Sequence, residues 1–269
     1  MNIVKFEIRR LFKSLLAWTI ILAALDIMFM LFFPSMKSSG MSELMKAKMN
    51  MLPKAMLQSL GISSYMDFSD LLQYFTYCWQ YIILAMCIFA ATLGATSLIK
   101  EESDGTIEFL YAEPVSRTKI AVCKLLSTFI VLFVLNLMIF IANAVILGAL
   151  HSAGYAYMGG LVKITLASLY GCTAFWAVGF AISSLLRRVS QASPFAMGIF
   201  FVTYIFGMFA PIVKNQNFMK YLSPYHYVLA SDILKTGSLK TSYAVILALI
   251  IIFGLTTGIA VYRKKDFCI

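Results

Sequence analysis

Six apolar runs, at about residues 15–33, 72–98, 120–147, 161–186, 192–213 and 243–262, set the terms for everything else in this chain. Each comes close to or exceeds the roughly 20 residues that a helix needs to cross the ~30 Å hydrocarbon core of a bilayer. Lipid offers no hydrogen-bond partners, so the backbone there must satisfy itself, and a helix does so within one segment. The balance of residues agrees: 61% of the 269 are hydrophobic and only 13% charged, with a mean hydropathy of +0.85. Soluble domains carry about 25% charged residues. The expected fold is all-α and integral to the membrane, one domain over residues 1–269 with six transmembrane helices.

Charge then sets the orientation. The net charge of +10 does not point to nucleic acid, because the Lys and Arg flank apolar runs instead of forming basic blocks. An even number of spans puts both termini on one side. Thirteen of the 22 basic residues fall there, including Arg187-Arg188 and Arg263-Lys264-Lys265, which abut span ends. Positive residues favour the cytoplasmic side. The expectation is therefore a multi-pass protein of a bacterial plasma membrane with cytoplasmic termini.

Between the spans the sequence predicts smaller elements. Residues 1–13 mix apolar side chains with Lys5, Arg9, Arg10 and Lys13, the pattern of an amphipathic helix at the inner interface. The apolar run after it is long and no clear small-x-small cleavage site follows, so it is read as a retained anchor. Residues 42–51 and 53–60 predict two short outer-side helices, stopped by Gly61. They are rich in methionine (Met41, Met45, Met49, Met51, Met56). Two readings stand: a surface that repacks against varied apolar partners, or side chains resting on the bilayer and on neighbouring helices. A further outer-side helix is expected from Ser223-Pro224 to Gly237.

Most site chemistry is missing. No G-x-x-x-x-G-K-[ST] occurs, so no P-loop binds ATP in this chain. His151 and His226 are far apart, and the five cysteines have neither metal nor redox spacing. Glu101-Glu102 lacks the arginine and the histidines that accompany paired glutamates in intramembrane prenyl-protein proteases. Asp26 stands near the centre of the first span, where a charged side chain costs several kcal/mol unless paired, hydrated or neutralised. Asn136 and Asn143 lie in the third. These three either line a polar route, or Asp26 hydrogen-bonds an asparagine across a helix interface. Gly254-x-x-x-Gly258 permits the close approach of another helix.

The most patterned polar interval is 100–124, KEESDGTIEFLYAEPVSRTKIAVCK. Glu101, Glu102, Asp104 and Glu108 surround the turn at Asp104-Gly105. Gly105 allows the turn, Ile107, Phe109 and Leu110 follow, and Pro114 ends the run by disfavouring helix at Glu113. Ser116 then caps the next helix. A helix of about two turns results, presenting an acidic and aromatic surface to water on the side that carries the termini.

The spacing Glu102, Gly105-Thr106, Glu108, Leu110, Pro114, Ser116-Arg117 and Lys124-Leu125 resembles the signature of the ABC-2 superfamily of ABC export permeases, E-x-x-G-T-x-E-x-L-x-x-x-P-x-S-R followed by K-L. The resemblance implies a transmembrane subunit that is not itself an enzyme. Such permeases pair with a second copy or close homologue and carry two cytoplasmic P-loop subunits, which bind the ATP and Mg; this chain would hold no cofactor. The loop would be a cytoplasmic coupling helix, about 106–112, with Glu102, Asp104, Gly105, Thr106, Ile107, Glu108, Phe109, Leu110, Glu113, Pro114 and Arg117 meeting the ATPase. Asp26, Asn136 and Asn143 become candidates for the translocation path, lined by the first, second and fifth spans. Hydrophobic or amphipathic cargo is implied, with toxins or antimicrobial peptides first. The competing class, a self-sufficient secondary transporter or channel of six spans, predicts inverted repeats and broken helices in matching halves. The two halves differ in loop length and polarity, and neither feature is found.

Overall fold

The computed structural model describes residues 3–62, 67–106, 115–150, 157–213 and 218–265. Six helices are long and apolar enough to cross a membrane: α1 (Ile3–Leu31), α5 (Leu71–Thr96), α7 (Arg117–Leu150), α8 (Met158–Leu185), α9 (Val189–Phe209) and α13 (Thr241–Lys264). The short helices gather between them. They are α2 (Phe33–Lys37), α3 (Ser39–Asn50) and α4 (Lys54–Ser59) after the first span, and α6 (Lys100–Ser103) after the second. Before the sixth come α10 (Phe218–Tyr221), α11 (Pro224–Tyr227) and α12 (Ala230–Thr236). No strand occurs among the described residues. The chain is thus an all-α multi-pass bundle.

The N-terminal stretch is helical but not a separate element. It runs into the first span without a break, because nothing between Lys5 and Leu15 stops a helix and both Glu7 and Leu15 are buried on the same helix. The outer helix expected from Ser223 to Gly237 is split. Val228 leaves helical geometry and buries its side chain completely, and Leu229 is extended before α12 begins. Gly171 on α8 makes room for Val228, since a Cβ there would meet the valine methyls at 2.9–3.0 Å. Other local signals act as read: Asp70 caps α5 by accepting from the Gln73 N–H at 2.9 Å, and Gly237 ends α12 at φ 73°.

Helices α5 and α8 form the buried centre, with α13 against α8, α9 against α5 and α1 against α7. Glycine lets the central pair touch backbone to backbone. A Cβ on Gly94 would overlap the Trp176 carbonyl, and one on Gly179 would overlap that of Ala91. Polar groups in this centre are paired off: Trp79 Nε1 donates to Ser168 Oγ at 2.9 Å and Trp176 Nε1 to Thr128 Oγ1 at 3.1 Å. Gly254 and Gly258 do receive a helix closely, and it is α8 of the same chain, at Ala177 and Phe180. By contrast α1, α9 and α13 leave apolar side chains outward, among them Ile20, Phe201 and Phe253.

Alternation of the spans sorts the chain ends. The start of α1, the end of α5 with α6, the start of α7, the α8–α9 junction and the end of α13 meet at one end, here the charged end. Helices α4, α11 and α12 gather at the other, where Tyr225 donates to the Gln80 carbonyl at 2.6 Å.

Candidate functional site

The loop that carries the sequence signature leaves the bundle at the charged end, and two adjacent carboxylates hold its root. Short α6 turns Glu101 and Glu102 in opposite directions, and the turn closes at Gly105, whose φ of 68° suits glycine. The Thr106 N–H donates back to the Glu101 carbonyl at 2.9 Å.

Glu101 points into the bundle. It accepts from Lys124 Nζ on α7 and, through Oε1, from Arg10 Nη1 on α1 at 2.8 Å. Arg10 also bridges to Glu7 at 2.8 Å, and Lys124 lies 3.5 Å from the other Glu7 oxygen. Lys124, only 1% exposed, completes its bonds at the Ser97 carbonyl, 2.9 Å away. Two acids and two bases therefore close a buried ring across α1, α6 and α7. Burial pushes the Glu101 carboxyl up, but Lys124 and Arg10 outweigh it and hold the group below the usual carboxylate range.

Glu102 turns the other way, onto Lys265 Nζ at 2.7 Å. The same ammonium donates to the Leu186 carbonyl at 2.6 Å, and Arg117 Nη1 donates to the Lys265 carbonyl at 2.8 Å. The second clamp thus joins the loop root to the end of α13, the α8–α9 junction and the start of α7.

Of the residues expected to meet a partner, Asp104, Gly105, Thr106 and Arg117 are exposed, whereas Glu102 faces inward onto Lys265. Ile107, Glu108, Phe109, Leu110, Glu113 and Pro114, and with them the expected coupling helix, lie outside the described residues. Of the clamp partners, Glu7 was not singled out from sequence, while Arg10 and Lys265 were read there as interfacial and topology-setting charges and not as partners of the loop. Glu7 and Arg10, opposite in charge and one turn apart, were the available signal.

In the middle of the bundle, Asp26 and Asn143 are both fully buried and face one another across α1 and α7. Asn143 donates one amide N–H to the Ile139 carbonyl at 2.9 Å, and its Oδ1 and both Asp26 oxygens have no hydrogen-bond partner among the described residues. Asn136 is not part of this pair. It borders a crevice of about 200 Å³ between α7 and α8 with Phe133, Phe140 and Leu166. No group of three or more His, Cys, Asp or Glu suited to a metal occurs among the described residues, and Cys78, Cys87, Cys123 and Cys172 are free.

A family model described as ABC-2 family transporter protein matches residues 1–267, so the chain belongs to that family of ABC transporter membrane subunits. Members are permeases that carry no ATPase site of their own and associate with ATP-binding subunits. A comparison with curated proteins gives no match.

Proposed function

We propose that this chain is the permease subunit of an ATP-driven exporter, and that residues 104–117 are the handle by which two cytoplasmic P-loop subunits move it. ATP and Mg would be bound by those subunits. The observation that carries the reading is the double clamp at the loop root. Glu101 and Glu102 tie one short loop to α1, α7, α8 and α13, so a displacement of the loop is passed to most of the bundle as a rigid-body motion. A loop that merely connected two spans would need neither pair. Ile107, Phe109 and Leu110 supply apolar anchors for a groove on the ATPase, with Glu108, Glu113 and Arg117 setting orientation.

The permease would work with a second copy or a close homologue, whose seam the outward apolar faces of α1 and α9 can supply. Cargo would be hydrophobic or amphipathic, first a toxin or antimicrobial peptide, because ionisable groups are scarce within the spans. Asp26 would act beside that route at the α1–α7 contact.

The test is co-purification of the chain with a soluble P-loop ATPase, followed by ATPase and transport assays of Glu108→Ala with Phe109→Ala. Loss of assembly or of transport-linked hydrolysis is expected. An unchanged complex would remove the loop from this role, and cargo movement by the chain alone would overturn the exporter reading.

A further inference from the structure

At the end opposite the charged loop, α4 roofs two adjoining cavities of about 230 and 200 Å³. They share Gln58, Gly61, His226 and Leu229, so they form one groove with a waist at the imidazole. Together they reach the size of a small-molecule site. The inner chamber has an aromatic wall. Tyr81 and Tyr204 face it, Tyr204 meets Tyr225 edge-on at 5.0 Å, and Tyr225 is fixed by its bond to the Gln80 carbonyl at 2.6 Å. The outer chamber is bordered by Lys220 and Lys235 with one acid, Asp232. Neither lysine has an ion pair among the described residues.

A ring-lined interior of mixed polarity, behind two ammonium groups without an ion pair among the described residues, selects for one chemistry. We infer that this groove binds an anionic amphiphile, its head at Lys220 and Lys235 and its apolar body against Tyr81, Tyr204 and Tyr225. A neutral amphiphile leaves both lysines unused, and a cationic one is repelled by them. His226 at the waist hydrogen-bonds either part. The groove lies where cargo would leave, so its role as an exit site rests on the exporter reading, but its occupancy does not.

The experiment uses the whole chain without any ATPase, in phosphatidylcholine nanodiscs. Decanesulfonate is titrated in, with decyl maltoside and decyltrimethylammonium as neutral and cationic probes of the same chain length. Decanesulfonate is expected to bind at least about fivefold more tightly than either. Lys220→Gln with Lys235→Gln is expected to remove that preference while decyl maltoside binding stays, which shows the groove intact. Lys220→Glu with Lys235→Glu is expected to move the preference to decyltrimethylammonium. Equal binding of the three probes, or a preference for the anion that survives both double variants, overturns the inference. Adding phosphatidylglycerol to the nanodiscs identifies the source of the head. Competition assigns it to acidic lipid and its absence to a water-borne molecule, and the site stands in either case. Failure here leaves the exporter reading untouched, just as a missing ATPase partner would leave the site.

Discussion

Lys124 is almost completely buried, and among the described residues Glu7, Glu101 and the Ser97 carbonyl compensate its side-chain nitrogen. Removing one member of such a set strands the others without compensation, at a cost of about 3–5 kcal/mol. Lys124→Met is therefore expected to lower the thermal midpoint sharply. Lys124→Met with Glu101→Gln should be milder than the sum of the two single changes, the mark of a coupled pair in a double-mutant cycle. The ring also has a pH signature. Glu101 is held below its ordinary value in the folded chain, so its contribution is present above the ordinary carboxylate range and fades as pH falls through the lowered value. Acid-unfolding curves of Glu101→Gln should be flatter than those of the parent in that window. Asp26 behaves differently, since among the described residues neither of its oxygens has a partner to lose. Asp26→Asn brings N–H donors to Asn143 Oδ1, and near-normal stability is expected, while Asp26→Leu removes two unpartnered buried oxygens and should be neutral or mildly stabilising. Normal export by Asp26→Asn would assign the side chain to packing.

Close backbone approach is the corresponding constraint for whole helices. The α5–α8 contact admits no Cβ at Gly94 or Gly179 because the obstacle is a carbonyl on the facing helix, which cannot swing aside. A Cβ on Gly258 would meet a Phe180 ring edge at 2.5 Å, and a ring can turn. Gly94→Ala is accordingly expected to destabilise the bundle by about 1–3 kcal/mol and Gly258→Ala by less, read as thermal midpoints in one detergent. This contrast was only half legible in the sequence. G-x-x-x-G at 254–258 announced a close helix without saying which one, and the Gly94–Gly179 pair has no local motif at all. Spans, caps and turn residues were readable because their causes lie within a few neighbouring residues. The clamp was not, since Arg10 and Glu101 are 91 residues apart and only the folded bundle makes them neighbours. The division of the outer helix at Val228 escaped for the same reason, being decided by a gap over Gly171 on another span. At the waist of the outer groove, burial holds His226 below its ordinary value, opposed by Asp232 and reinforced by Lys220 and Lys240. A bound anion favours the imidazolium, so decanesulfonate affinity should rise as pH falls from neutral into the acid range, and His226→Asn should abolish that rise.

Across the whole molecule, the two clamps divide the work of a transporter in a testable way. Glu101 secures the loop to α1 and α7, while Glu102 secures it to α13 and the α8–α9 junction through Lys265. A handle fastened on one side only would still be gripped by an ATPase, but it would move part of the bundle and leave the rest behind. Lys265→Ala is thus expected to keep the chain assembled with its ATPase while transport per ATP hydrolysed falls. Exchanging the partners, Glu102→Lys with Lys265→Glu, restores the attraction between the same two elements and should recover a large part of the coupling. The exchange separates a mechanical link from a contact with the ATPase. If Glu102 touched the ATPase directly, reversing its charge would damage assembly whatever stood at 265. Recovery in the double variant together with intact assembly in Lys265→Ala would place the pair inside the permease, as the strut that makes six helices answer to one loop.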